Sequence, residues 1–169
     1  TNLIKASDQR HEYCLGRMAL EEAKILDRQG DHTASAETYG EAAETFQKIA
    51  ATASDQNHRE LQPIVLLCLA WQKMMMAEAK TSSVLYAEAA ELFRQAKEHT
   101  VDRLTSLMAS ANSSFCKALE AGTEFEVIRD LESYSNAKKH MEAAAECYLK
   151  AGYENASEYA RATNKLFDA

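Results

Sequence analysis

The sequence predicts an all-α fold, and three observations carry that reading. Its 169 residues hold one Pro and five Gly, whereas an all-β chain needs a turn about every 8–12 residues. It holds 30 Ala, the best helix former. Its apolar residues recur at three- and four-residue spacing, the period of a helix that buries one face. The length suits a single domain, residues 1–169, burying about 70% of its unfolded-chain surface without a metal or disulfide. A hydrophobic content of 46% is too high for a disordered chain.

Seven helices are expected in order. The first covers residues 7–29 and stops at Gly30, a good residue for the left-handed position after a helix. The second follows Asp31 or Thr33 and runs to Ala53, where the polar stretch 54–57 breaks the pattern. The third covers 60–80, with Pro63 in its first turn, where a missing N–H costs nothing. Thr81, Ser82 and Ser83 offer caps for a fourth helix ending near Glu98. The fifth starts after Thr100 and ends at Gly122. Thr123 and Glu126 have the spacing of a capping box for a sixth, which reaches Ala151 with an irregularity near 133–136. Gly152 ends it, and a seventh covers 153–167. Connections this short place consecutive helices antiparallel, in hairpins 8–53, 60–98 and 102–151 plus a final helix.

The sequence repeats itself. Residues 39–50 read YGEAAETFQKIA, 86–97 read YAEAAELFRQAK and 141–151 read MEAAAECYLKA. The copies lie 47 and 55 residues apart, one on each even-numbered helix. Repeats at such periods mark stacked helical hairpins. Within a copy, Tyr39, Ala42 with Ala43, Phe46 and Ile49 share one helix face. The Ala pair admits a neighbouring backbone closely, and the aromatic one turn later fills the space beside it.

On these residues the chain resembles tetratricopeptide-type repeats. Ala89, Phe93 and Ala96, preceded by Tyr86, are similar to that family's small–aromatic–small triplet. Gly30-Asp31 resembles its inter-helix turn, and Gly152-Tyr153 with Ala156 resembles a repeat junction. The period exceeds the family's roughly 34 residues, its Trp-Leu-Gly signature is absent, and no Pro closes a repeat. Longer hairpins with Ala-Ala-aromatic faces resemble more closely the SNAP adaptors (soluble NSF attachment proteins), over about residues 8–167. The resemblance implies a right-handed superhelix with a concave groove lined by the odd-numbered helices, and the function of a non-enzymatic adaptor.

The chemistry-bearing residues are sparse. Asp8/His11 and Asp55/His58 have the i, i+3 spacing of carboxylate–histidine pairs in metal-binding bundles. Asp stands there in place of Glu, and the second pair falls in an expected loop, so the alternative of a metal-binding or enzymatic bundle is the weaker one. No HExxH, phosphate loop or nucleophile elbow occurs, and no catalytic residue, metal or cofactor is assigned. Four cysteines without a CxxC pair read as small hydrophobes of a reducing, cytoplasmic protein.

Charge narrows the partner. A net −7 without a Lys/Arg run disfavours nucleic acid. The longest apolar run, residues 64–71, is far shorter than the roughly 20 residues of a membrane span. With the expected boundaries the even helices sum to −5 and the odd ones to −1. The odd helices carry basic residues at multiples of seven: Arg10, Arg17 and Lys24; Lys73 and Lys80; Arg103 and Lys117. Such spacing holds each set near one face, where it suits a protein or peptide partner with acidic groups. The third helix is apolar nearly all round near Trp71 and Met74–Met76. That surface reads as core, or as a seat for an apolar partner helix or a second copy in a homo-oligomer. The remaining alternative is one module of a larger repeat assembly.

Overall fold

The computed structural model describes residues 2–168, with side chains from residue 7 onward. Thr1 and Ala169, the ends of the expected domain, lie outside the described residues. The described residues form seven helices and no strand: α1 (Asn2–Arg28), α2 (His32–Thr52), α3 (Asp55–Lys80), α4 (Ser83–His99), α5 (Arg103–Ile128), α6 (Leu131–Lys150) and α7 (Glu154–Leu166). None is long and apolar enough to cross a membrane.

The helix ends follow from hydrogen-bond accounting. The first N–H groups of a helix lack intrahelical acceptors, and a short polar side chain supplies one. Asp31, Ser54, Ser82, Asp102 and Asp130 do so for α2 to α6, each accepting from the backbone N–H three residues on, at 2.7–3.5 Å. At the other end, α1 and α6 exit through Gly30 (φ +81°) and Gly152 (φ +82°). Asp31 N–H then donates to the Leu26 carbonyl at 3.0 Å and Tyr153 N–H to the Tyr148 carbonyl at 2.9 Å. That is the Schellman pattern, for which Gly is the unstrained choice.

Two expected boundaries move. α3 begins at Asp55 and not near residue 60, because Ser54 caps it from within the polar stretch that suggested a loop. Pro63 therefore lies inside the helix, its ring buried and the Arg59 carbonyl left without its i+4 donor. α5 runs through Gly122 to Ile128, and α6 begins at Leu131 under the Asp130 cap, so Thr123 and Glu126 form no helix start. Gly122 serves contact, not termination. A Cβ there would sit 2.7 Å from Cε1 of Phe167, closer than carbon atoms pack. The expected irregularity at 133–136 is regular helix within the first two turns of α6.

Among the described residues, extensive packing joins consecutive helices, α1 on α2 through α6 on α7. The three Ala pairs (Ala42/Ala43, Ala89/Ala90, Ala144/Ala145) are at most 2% exposed, and Phe46 and Phe93 are fully buried. Truncating either ring to Ala would cost about 3–5 kcal/mol. Trp71 on α3 stacks on Tyr39 of α2 (centroids 6.0 Å apart) and meets Phe93 of α4 edge-on at 5.4 Å. One aromatic ladder thus ties three helices together. Buried hydroxyls are spent on neighbouring backbones: Ser35 donates to the Ala23 carbonyl at 2.9 Å and Ser113 to the Ala90 carbonyl at 2.8 Å. α3 is the middle of this arrangement, and its second face is where a groove opens.

Candidate functional site

A groove of about 980 Å³ opens along the N-terminal half of α3, between residues of α1 and the α4–α5 corner. Its floor is apolar. Pro63, Ile64, Leu67 and Trp71 come from successive turns of α3, and Leu20 joins them from α1. Pro63 is buried, whereas Ile64, Leu67, Trp71 and Leu20 are only partly buried. The i, i+1, i+4, i+8 spacing from Pro63 holds the α3 residues on one face. Cys68, one turn after Ile64, also borders the groove but is itself buried, as is Met75 one turn after Trp71. Burial pushes the Cys68 thiol up to about 12, so this floor cysteine stays a neutral hydrophobe.

The rims carry charge of opposite sign. Arg17 and Lys24 stand on α1, two turns apart. Glu21 lies between them, 2.7 Å from the Lys24 ammonium and 3.8 Å from the Arg17 guanidinium. The Lys24 hydrogen bond, ahead of other influences, holds Glu21 below its ordinary value. Across the floor, Glu98 and Asp102 stand at the α4–α5 corner. Glu98 pairs with Arg94, and Asp102 caps α5 through the N–H (2.7 Å) and hydroxyl (2.6 Å) of Thr105. The Thr105 bonds hold Asp102 below its ordinary value and keep it ionised. Val101, at the same corner, is fully exposed. Arg59 and Glu60 add one charge of each sign at the α3 N-terminus.

Of the residues singled out from sequence, Arg17, Lys24 and Trp71 meet at this groove. The others do not. Arg10 is exposed on α1 outside it. Lys73 turns to α4 and pairs with Glu88 at 2.6 Å. Lys80 is exposed in the last turn of α3, and Arg103 is exposed as the first residue of α5. Lys117 lies at a separate cavity of about 280 Å³ with Glu120, Glu124, Asn136 and His140. There burial, then the nearby Glu124 carboxylate, raises Glu120, while burial, then Lys117 and Lys139, lowers His140.

Arg59 was missed because the third helix was expected to begin one residue after it. Ser54, a cap residue four positions before His58, was the signal that could have extended that helix. The charge contrast between helix sets also narrows. With Glu124 and Glu126 on α5, the even helices sum to −3 and the odd ones to −1.

The carboxylate–histidine pairs stay apart from this groove. Asp8 and His11 are exposed on α1. Asp55 and His58 lie in the first turn of α3, where His58 Nδ1 donates to the Ala50 carbonyl at 3.1 Å. Among the described residues no three His, Cys, Asp or Glu side chains come close enough to hold a metal ion. No protein-family model, curated protein sequence or solved structure matches the chain.

Proposed function

We propose that the protein is a non-enzymatic adaptor that receives a partner protein or peptide on the face of its odd-numbered helices, α1, α3 and α5. The observation that carries this reading is the groove of about 980 Å³, with an apolar floor that the chain itself leaves half-covered and charged rims. Exposed apolar grooves rimmed by polar residues mark sites of protein or ligand interaction, and a partner helix or peptide is one occupant such grooves accept. Consecutive-helix packing and the three motif copies buried alike support a right-handed stack of hairpins, tetratricopeptide-like or SNAP-like. Four cysteines without a CxxC pair support a cytoplasmic setting.

The test is a capture experiment with three baits: the wild type, the rim triple Arg17→Glu/Lys24→Glu/Val101→Asp, and Lys80→Glu as a control outside the groove. All three changes of the triple fall on side chains with substantial exposure, so melting temperature should hold. A partner held by the wild type and the control and released by the triple is the expected result. A partner held equally by all three refutes the groove.

A further inference from the structure

The docking reading leaves the kind of partner open, and the rims narrow it. α1 reaches α3 by way of α2, and α5 reaches it by way of α4. Arg17 and Lys24 therefore border the floor from one flank, and Glu98 and Asp102 from the other. A uniformly acidic segment lying on Ile64, Leu67 and Trp71 would neutralise the first flank and press like charge against the second. A uniformly basic one would do the reverse. Like charges in contact suppress binding, and opposite ones favour it. The floor follows one face of α3. The whole α3 border from Gln56 to Trp71 spans about 22 Å, and its apolar part from Pro63 to Trp71 about 12 Å, at a rise of about 1.5 Å per residue. The full border matches four turns of a second helix, and apolar residues at i, i+3 or i+4 and i+7 of that helix would rest on the apolar part. Val101, fully exposed beside the acidic flank, extends the apolar contact to that edge.

We propose that the groove takes one amphipathic α-helix of a partner protein, acidic along one edge and basic along the other, with its apolar stripe on Ile64, Leu67 and Trp71. The proposal rests on the docking reading above. It has a geometric corollary. Turning such a helix end for end exchanges its two edges. The rims therefore set the direction in which the helix lies, acidic edge against α1 and basic edge against the α4–α5 corner.

Trp71 is the only tryptophan of the chain and lies in the floor, so its fluorescence reports occupancy. The probes are four Trp-free peptides of about 18 residues, long enough to form a helix on binding. They share one Leu stripe and carry edges Glu/Lys, Lys/Glu, Glu/Glu and Lys/Lys. Both two-sign peptides should shift Trp71 emission and bind with equal affinity, about tenfold tighter than either one-sign peptide. A nitroxide at the peptide N-terminus should quench Trp71 for one of the two and not for the other. In Arg17→Glu/Lys24→Glu, Lys/Lys should become the tightest ligand. Glu/Glu binding the wild type as tightly as the two-sign peptides overturns the proposal and leaves the docking groove standing. Failure of all four to move Trp71 overturns both, and oleate moving it in their place identifies a lipid slot.

Discussion

The bond between Tyr148 and Asn112 offers the cleanest test of how the stack is held together. The Tyr148 hydroxyl on α6 donates to Asn112 Oδ1 on α5 at 2.6 Å, with the two residues 8% and 3% exposed. Tyr148→Phe removes one oxygen and keeps the ring that packs between the helices. It leaves the amide oxygen in the core without that donor. Orphaning a buried acceptor costs about 1–3 kcal/mol. At this chain length 1 kcal/mol moves the melting temperature by about 2–4 °C, so a mid-range cost of about 2 kcal/mol should lower Tm by roughly 6 °C. The urea midpoint should fall with an unchanged slope, since the surface exposed on unfolding is the same. Adding Asn112→Leu removes the second polar group and fills similar space. The double variant should therefore be more stable than Tyr148→Phe alone, a favourable coupling that a double-mutant cycle reads directly. A Tyr148→Phe protein melting within about 1 °C of the wild type would refute the reasoning, as would a double variant no better than the sum of its singles.

Three further outcomes follow from named contacts. Gly16→Ala gains about 1 kcal/mol of helix propensity but sets a Cβ 2.9 Å from Cζ of the fully buried Phe46 ring. Overpacking of about 1–3 kcal/mol should make it a net loss in urea titrations. Gly122→Ala, whose obstacle is the far edge of the half-buried Phe167 ring, able to swing aside, should be close to neutral. Arg94, then Gln95, hold Glu91 at about 2 by hydrogen bonding. Because the folded value is depressed, the pairing favours folding above the ordinary carboxylate range and fades as pH falls from 4.5 toward 2. Carboxyl NMR should show Glu91 rising toward its ordinary value in Arg94→Ala, held partly down by the remaining Gln95 bond, with a small effect on stability because the pair is exposed. In the native protein a thiol reagent should modify exposed Cys14 first and leave Cys68 and Cys116, both buried and raised by burial, until unfolding.

Local chemistry made most of the helices legible, and contacts distant in sequence account for the largest boundary error. Gly30 and Gly152 were readable as ends because nothing crowds them and each adopts a positive φ. Gly122 looked the same in sequence, yet its missing side chain makes room for a ring 45 residues later, and α5 continues through it. The Ala pairs and their aromatics were legible as a buried face because helical periodicity is local. The groove was legible only in part. Seven-residue spacing placed Arg17 and Lys24 together, but an α-helix drifts about 20° per heptad from that spacing. Over two heptads that drift reaches about 40°, and Lys73, about 21 Å beyond Arg59 along α3, pairs with Glu88 of α4 instead of bordering the groove. Nothing in the spacing of basic residues indicated the acidic flank, which comes from a helix C-terminus and a cap residue brought beside α3 by the fold.

The position of Trp71 decides how function in this protein can be separated from stability. Its ring is the centre of the ladder from Tyr39 to Phe93, and the same residue borders the groove. Removing it would cost about 3–5 kcal/mol of packing, a large share of the 5–15 kcal/mol that holds a domain folded. A loss of binding in Trp71→Ala would therefore say nothing about contact with a partner. The rims are different in kind. Arg17 and Lys24 stand half in water, with their shared carboxylate equally exposed, and pairs of that sort contribute at most about 1 kcal/mol. Substitutions there can change affinity by tenfold while leaving the fold intact. On the proposed docking reading, the floor is shared with the core, whereas Arg17 and Lys24 can be exchanged at little cost to folding and are therefore the residues through which binding is best tested.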